Sequence, residues 1–329
     1  MNTAVQTAWA RKLTAGDRRT LARSITKIES TRDDDRAEAE ALLDEVLSAS
    51  GGSVRVGITG TPGVGKSTFI DGLGSRLIEQ GKRVAVLAVD PTSNRTGGSI
   101  LGDKTRMSHL AAKAQAFIRP SPSGGFAGGV GRRTHDAILL CEAAGFDVVI
   151  VETMGVGQAE VAVADVTDIF LLLVGPGGGD DLQGIKRGVM ELADVVAINK
   201  ADGSLADAAI TTAADYQHAI GLVRSKWPNI RTEVLTCSAK TGQGIDDVWG
   251  AVDKLHSSLE ESGQLAELRA TQAVRQLDRE FDHLLTERVD RLPAFAKYRS
   301  RLVDEVKAGK RSPSSTAGEM ARRAWRELA

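Results

Sequence analysis

One short segment constrains the fold more than any other part of this 329-residue chain. Residues 60–67 have the sequence Gly-Thr-Pro-Gly-Val-Gly-Lys-Ser and match the pattern G-x-x-x-x-G-K-[ST]. An apolar run at 54–59 precedes the segment and a helix-length stretch follows it, as the pattern requires. The glycines allow backbone N–H groups to face a phosphate without Cβ clashes. The segment therefore predicts a phosphate-binding loop between a strand and a helix.

Within this loop, Lys66 is predicted to place its charge on the β- and γ-phosphates, and the Ser67 hydroxyl is predicted to ligate Mg²⁺. The start of the following helix adds a partial positive charge. The predicted nucleotide-binding residues of the loop are Gly60, Thr61, Pro62, Gly63, Val64, Gly65, Lys66, Ser67 and Thr68.

Further apolar runs of strand length follow along the chain. They lie at residues 84–89, 148–151, 169–174, 195–198 and 234–237. Most are nearly continuous and rich in β-branched residues, as expected of parallel strands buried on both faces. Helix-length segments separate them, which indicates repeated βαβ units. We therefore predict an α/β fold, in which a doubly wound, mostly parallel P-loop domain carries helical N- and C-terminal extensions.

The expected N-terminal extension covers residues 1–50 and is helical and polar. Leu21, Ile25 and Ile28 share one face of a predicted helix. The Asp17 carboxylate can accept a hydrogen bond from an otherwise unpaired N–H at the start of this helix. The expected P-loop domain then covers residues 51–260.

The expected C-terminal arm covers residues 261–329 and contains no further strand pattern. Its sequence predicts three helices rich in Arg and Glu, with Pro293 and Pro313 at helix starts. The residues of a candidate apolar stripe on the first of these helices are Phe281, Leu284, Leu285 and Val289.

Three acidic residues are candidate Mg²⁺ ligands, because magnesium prefers oxygen donors. Asp90 and Glu152 each follow a predicted strand, where a carboxylate meets the crevice at the carboxyl edge of the sheet. Asp103 lies in the polar loop 91–106. With Ser67, these acids form the predicted metal site.

The tetrad Asn199-Lys200-Ala201-Asp202 follows a predicted strand and favours guanine. The Asp202 carboxylate can accept from both the ring N–H and the exocyclic amine of guanine, which adenine does not offer together. Asn199 is expected to fix the loop, and the stem of Lys200 to cover the base. A second base-contacting loop is predicted at Ser238, Ala239 and Lys240, where a backbone N–H can meet the guanine carbonyl. The predicted nucleotides are therefore GTP and GDP.

Charge, cysteine content and hydropathy bear on the possible partners and on the cellular location. The formal net charge is −1, which argues against a strongly electrostatic partner such as duplex DNA or an anionic membrane surface. The two cysteines, Cys141 and Cys237, lie far apart and are expected to be buried in a reducing compartment. The sequence contains neither a signal-peptide pattern nor an apolar run long enough to span a bilayer. We expect a cytoplasmic protein.

Two glycine-rich segments are candidate mobile loops. Residues 175–181 can reorder when a phosphate or a partner arrives, and Lys186 beyond them can reach a nucleotide or an acid. Alternatively, 175–181 is a plain surface loop and Lys186 belongs to a solvated helix. Residues 121–131 are interpreted as a partner-facing loop, and a dinucleotide fingerprint is disfavoured there because no clear strand precedes it.

Several segments together resemble the MeaB/ArgK family of P-loop GTPases, a metallochaperone-type branch allied to the MMAA protein. The matching segments are 60–68, 90–93, 97–107, 152–158 and 199–202, with 15–19 and 119–122 also fitting. Residues 99–107 are far more specific to this family than the phosphate loop is. The resemblance covers most of the chain.

This resemblance implies a GTPase that acts as chaperone of an adenosylcobalamin-dependent acyl-CoA mutase, chiefly methylmalonyl-CoA mutase. Family members couple GTP binding and hydrolysis to cofactor loading and to protection or reactivation of the mutase. They are homodimers that associate through C-terminal helices. By similarity, Asp90, Asp103 and Glu152 occupy magnesium positions. The resemblance places Asp103 in a first switch, 152–163 in a second, and 175–186 in a third that faces the mutase.

One departure from Ras-like GTPases bears on the rate. Where those proteins carry a water-orienting glutamine, this chain has Val156, and Gln158 comes two residues later. We therefore expect slow intrinsic hydrolysis that a partner stimulates. A cationic finger supplied by a partner raises other GTPase rates by roughly 10³–10⁵-fold. The candidate catalytic residues are Lys66, Glu152, Asp103 and Lys186.

Two alternative functions stay open. A metallochaperone GTPase serving a nickel or zinc enzyme would need a Cys/His cluster, which the sequence does not display. A kinase of an amino-acid transport system, a label attached to ArgK-like sequences, would need an acceptor-binding domain, and none is evident.

Overall fold

A computed structural model describes residues 7–90, 106–122, 129–153, 159–177, 187–223, 225–227 and 230–328. The chain forms two compact units, Met1–Gln272 and Ala273–Ala329. The first unit contains the sheet and the phosphate loop, and the second consists of helices.

The described strands of the first unit form one seven-stranded parallel sheet. In chain order they are β1 (Val54–Gly60), β2 (Val84–Asp90), β3 (Ala116–Pro122), β4 (Val148–Thr153), β5 (Ile169–Val174), β6 (Val195–Ile198) and β7 (Glu233–Thr236). Their spatial order is β3-β2-β4-β1-β5-β6-β7. The predicted doubly wound parallel fold is confirmed. Because all strands run parallel, their carboxyl ends share one edge, and β1 delivers the phosphate loop there between β4 and β5.

Strand β3 was not predicted from the sequence. It contains Pro120 and Pro122, and proline cannot donate a ladder hydrogen bond, so the pattern there is not that of a central strand. The strand is tolerated because, among the strands that the structure describes, it lies at the edge of the sheet and pairs with β2 alone. The interpretation that no strand precedes residues 121–131 is therefore wrong, since β3 ends at Pro122 and the next helix begins at Gly129. Residues 123–128 lie outside the described part.

Thirteen α-helices occur among the described residues. Those that begin in the first unit are α1 (Ala8–Thr14), α2 (Arg18–Glu29), α3 (Asp33–Val46), α4 (Lys66–Glu79), α5 (Ser108–Ala111), α6 (Gly129–Ala143), α7 (Ala159–Ala164), α8 (Arg187–Leu192), α9 (Ala206–Gly221), α10 (Ile245–Glu261) and α11 (Gln264–Asp290). Short 3₁₀ turns span Leu47–Ala49 and Gly203–Leu205. Helix α11 continues into the second unit, which also holds α12 (Pro293–Lys307) and α13 (Pro313–Leu328). No described helix combines the length and the apolar composition needed to cross a bilayer.

The strands contribute side chains to two separate apolar clusters, one on each face of the sheet. In β2, for example, Leu87 belongs to the cluster that includes Leu21 of α2, whereas Val86 belongs to the cluster that includes Phe69 of α4. Both faces are covered, which explains why the strands lack the alternation of a half-exposed sheet.

The N-terminal helices follow the sequence prediction. Leu21, Ile25 and Ile28 are buried on one face of α2. The Asp17 carboxylate caps the helix by accepting the Thr20 N–H at 2.7 Å. Hydrogen bonding from Thr20 holds the pKa of Asp17 below its ordinary value.

In the second unit, Pro293 and Pro313 are the first residues of α12 and α13, as predicted. Phe295 and Leu302 of α12 are buried. The carboxylate of Glu319 accepts hydrogen bonds from the Tyr298 hydroxyl and from Arg311, which joins α12 to α13.

The stripe predicted on α11 is exposed in the single chain. Of its predicted members, Phe281, Leu284 and Leu285 are exposed and Val289 is half-buried. The exposed row also includes Val274 and Leu277, which were not predicted, with Leu277 68% exposed.

Candidate functional site

The phosphate loop connects the last residue of β1 to the first residue of α4. Gly60 has φ +156°, and a Cβ on it would lie 2.3 Å from the carbonyl oxygen of Leu173 in the neighbouring strand. Gly65 has φ +98°, and a Cβ there would lie 2.7 Å from Nδ2 of Asn199. Any side chain at either position would displace the loop from β5 or from the Asn199 loop.

The Lys66 side chain is buried inside the loop, where its Nζ donates to the carbonyls of Gly60 at 2.7 Å and Thr61 at 3.3 Å. Burial lowers the pKa of Lys66, and the carboxylates of Glu152 and Glu160 partly oppose that shift. A desolvated ammonium of this kind gains most from a bound anion, so the geometry suits a phosphate.

The metal side of the site joins α4 to β4. The Ser67 hydroxyl donates to Oε1 of Glu152 at 3.1 Å, and Glu152 is 1% exposed. A hydroxyl and a carboxylate oxygen at this separation are the hard donors that Mg²⁺ takes in proteins, so these residues fit a magnesium ion. Asp90 ends β2, which pairs with β4, and therefore lies at the same edge of the sheet.

One acidic residue of the site was not singled out from the sequence. Glu160 lies at the start of α7, is 1% exposed, and contributes with Glu152 to the electrostatic environment of Lys66. The sequence signal that could have singled out Glu160 is its position at the start of a helix, directly after the segment 152–158. Burial next to a lysine is a tertiary property that the local sequence does not reveal.

Asn199 ties the phosphate side of the site to the base side. Its Nδ2 donates to the carbonyl of Val64 at 2.8 Å, while its Oδ1 accepts the N–H of Ala239 at 2.8 Å. Lys200 donates from Nζ to the carbonyl of Gly63 at 2.7 Å and has φ +63°, which is uncommon for a residue with a side chain. The three predicted loops therefore meet at one place.

The second base-contacting loop is held against the tetrad. The Ser238 hydroxyl donates to Oδ1 of Asp202 at 2.6 Å and accepts the N–H of Thr241 at 3.1 Å. The N–H of Ala201 donates to the carbonyl of Cys237 at 2.9 Å. These contacts orient the Asp202 carboxylate, and Lys240 is exposed at the edge of the loop.

Some predicted residues cannot be placed. Asp103, Val156 and Lys186 lie outside the described residues, as does the second half of the segment 175–181. Of Asp90, only the backbone is described. The roles predicted for these residues stay predictions.

Comparison with known proteins supplies a family. Residues 21–293 match the profile of the family described as methylmalonyl-CoA mutase-associated GTPase MeaB. The chain is 50% identical over 308 residues to a putative GTPase of Caulobacter vibrioides, which covers 94% of both chains. It is 45% identical to GTPase ArgK of Escherichia coli, with 92% of each chain covered.

Two further relatives are informative. The methylmalonic aciduria type A homologue of Mus musculus, a mitochondrial protein, is 47% identical over 270 residues, which is 79% of this chain and 65% of the mouse protein. The crystal structure of a LAO/AO transport system kinase superposes with a TM-score of 0.75 at 36% identity, covering 97% of this chain and 99% of the other.

Proposed function

Because the chain belongs to the family of methylmalonyl-CoA mutase-associated GTPases, MeaB, we propose that it binds and hydrolyses GTP with Mg²⁺ as a chaperone of an adenosylcobalamin-dependent acyl-CoA mutase. The observation that carries the nucleotide part is the double contact of Asn199, which joins the phosphate loop to the base loop. A nucleotide spans both loops, so the phosphate-binding loop and the base-binding loop must be held at a fixed distance from each other.

Each side chain then has a definite task. Lys66 exchanges its two loop carbonyls for the β- and γ-phosphate oxygens of GTP. Ser67 and Glu152, with Asp90 and Asp103, would hold Mg²⁺, and the ion would neutralise charge on the phosphates. Asp202, oriented by Ser238, accepts the two N–H groups of guanine. Lys186 is proposed to approach the nucleotide or an acidic partner in one state.

The proposed partner is methylmalonyl-CoA mutase or a related acyl-CoA mutase. The family description names this mutase, and the mouse relative is a methylmalonic aciduria type A homologue. Because Val156 stands where Ras-like GTPases carry a water-orienting glutamine, intrinsic hydrolysis is slow, and the mutase raises it while GTP turnover gates cofactor loading.

The experiment that tests this function measures GTP turnover with and without the cognate mutase, together with their association by pull-down. We expect slow turnover alone and a rise of at least about tenfold with the mutase, which is well within the range for partner-supplied groups. Lys66→Ala is the control and abolishes turnover. Absence of both binding and stimulation would sink the mutase assignment.

A second function, phosphate transfer to a protein, is suggested by the related crystal structure, that of a LAO/AO transport system kinase. The same reaction mixtures distinguish it, because a kinase would leave labelled phosphate on protein rather than release it. We favour hydrolysis, since the family description is that of a GTPase.

We also propose that the chain is a homodimer, with residues 261–329 as its dimerisation arm, 51–260 as its GTPase domain and 1–50 as an N-terminal extension. The support is the exposed stripe on α11, where Val274, Leu277, Phe281 and Leu284 follow one another at spacings of three and four. Apolar residues at this spacing line one face of a helix and are typical of a helix that packs against another helix. A cytoplasmic location stays a prediction.

A further inference from the structure

The short helix α5 is fastened to α4, the helix that begins in the phosphate loop, by a buried carboxylate. Asp71 of α4 accepts the backbone N–H of Leu110 through Oδ1 at 2.7 Å. Its other oxygen, Oδ2, lies 2.8 Å from Nδ1 of His109. Asp71 is only 9% exposed although it belongs to neither the phosphate loop nor the base loop.

An apolar contact one turn further along α4 reinforces this link. A Cβ on Gly74 would lie 2.8 and 2.9 Å from the two δ-carbons of Leu110, whose side chain is fully buried. Met107, just before α5, is fully buried as well. Residues 71 and 74 are three apart and share a face of α4, so the polar and the apolar contact hold the same short helix.

The link lies next to the proposed metal donors. Ser67 and Asp71 are four residues apart, which places them on one face of α4, about one turn or roughly 6 Å apart along its axis. Ser67 already contacts Glu152 of β4. Along the chain, Ser108 comes five residues after Asp103, the further metal ligand predicted from the sequence.

We infer that Asp71 is a positioning residue for the metal side of the nucleotide site, an inference that rests on the proposed Mg²⁺-dependent GTPase function. By capping α5 it holds the chain at Arg106 and Met107 in place relative to Ser67. Residues that orient metal ligands without touching the metal typically change metal affinity or activity by about 10–100-fold when they are replaced.

The test is the Mg²⁺ concentration that gives half-maximal GTP hydrolysis by the full-length protein. Asp71→Ala is expected to raise that concentration about tenfold. Asp71→Asn, which retains an oxygen for the Leu110 N–H, is expected to raise it less. GTP binding in EDTA should stay within about twofold of wild type in both variants, because the phosphate loop is untouched.

Gly74→Ala disturbs the same contact from the apolar side and should shift the Mg²⁺ dependence in the same direction. Its matched control is Gly72→Ala, in the same helix, where the added methyl group would face Ile245 of α10 instead. For the carboxylate, Asp246→Asn is the control, because Asp246 pairs with Arg76 of the same helix and is well exposed.

If Asp71→Ala and Gly74→Ala both leave the Mg²⁺ dependence unchanged, Asp71 is only a structural cap and the inference is overturned. Should Asp71→Ala fail to fold, Asp71→Asn and Gly74→Ala still decide the matter by the same measurement. A wild-type protein that binds no GTP, or hydrolyses it without Mg²⁺, would overturn the proposed function and the inference with it. A normal wild type with unaffected variants overturns the inference alone.

Discussion

Asn199 does the work of two residues in the site, since one side-chain amide contacts the carbonyl of Val64 and the N–H of Ala239. An amide can do this because it carries a donor and an acceptor on the same plane. Neither an aspartate nor a leucine of similar size would satisfy both loops. Asp202, three residues later, is in turn oriented by Ser238 and is left to read the base.

The base assignment can be tested with Asp202→Asn. An asparagine amide cannot accept from both guanine N–H groups, and hydrogen bonds to charged groups contribute about 1.5–3 kcal/mol each, so GTP affinity should fall about 100-fold or more. Affinity for XTP should rise, because xanthine offers a carbonyl in place of the amine. Competition with a fluorescent nucleotide measures both affinities.

Asp207→Asn is the matched control, since it removes the same charge from the exposed first turn of α9. Equal preference for GTP in Asp202→Asn and wild type would mean that the base binds elsewhere.

At the scale of elements, a buried ion pair joins β1 to α6. Arg55 donates from Nε and Nη2 to the two carboxylate oxygens of Glu142, each at 2.8 Å. Glu142 also accepts from the Ser53 hydroxyl at 2.7 Å and from the Gly51 N–H at 2.8 Å. Each carboxylate oxygen of Glu142 therefore accepts two hydrogen bonds. Such hydrogen bonds are needed to offset the desolvation of a buried charge.

This pair predicts a dependence of stability on pH. Burial raises the pKa of Glu142, but the hydrogen bonds and charge of Arg55, with the hydrogen bonds of Ser53 and Gly51, outweigh burial and leave the pKa below its ordinary value. A carboxyl whose pKa is lowered in the folded state stabilises the fold above its unfolded pKa, and this contribution is lost as the pH falls through the folded pKa. The loss from Glu142 therefore begins as the pH falls below the ordinary pKa of a glutamate, about 4.3.

Glu142→Gln should remove that contribution and leave the Arg55 charge buried without its partner, at a cost of about 3–5 kcal/mol at pH 7. Urea unfolding at pH 7 and pH 4 measures both effects, and the acid-induced loss should be smaller in the variant. Glu79→Gln, in an exposed pair with Lys113, is the control and should change little. An unaltered unfolding midpoint at pH 7 in Glu142→Gln would contradict the prediction.

At the scale of the whole molecule, α11 exposes a row of large apolar side chains to solvent. Contiguous apolar surface of this kind is typical of an interaction site. Leu277 and Phe281 of α11 are 68% and 60% exposed. Exposed apolar residues scattered singly are ordinary, but an apolar row at spacings of three and four over residues 274–285 of one helix is typical of an interface.

Leu277→Glu should therefore convert a dimer into a monomer of 34.8 kDa, because it places a charge within this row. Light scattering after size exclusion measures the mass. Thr286→Glu introduces the same charge near the opposite face of the helix and should remain dimeric. A wild-type protein that is already monomeric at micromolar concentration would refute the proposed arm.

Much of this protein could be predicted from its sequence, because the relevant information is local. The turn from β1 through residues 60–65 into α4, the position of Asn199 after β6, the Asp17 cap and the proline helix starts each depend on a few adjacent residues whose backbone preferences and donors are known. Buried parallel strands also have a recognisable composition, which is why the α/β fold was correct. Among the described strands, β3 was the one missed, because its prolines are permitted by an edge position that the local sequence does not specify.

The tertiary structure alone decided which distant residues meet. Glu152 reaches Ser67 across 85 positions, and Glu160 comes near Lys66, because parallel strands bring their carboxyl ends to one edge whatever their order along the chain. The Asp71 contact to α5 depends on a glycine one turn away that leaves room for Leu110. Such contacts result from the packing of whole elements, so no window of sequence contains them.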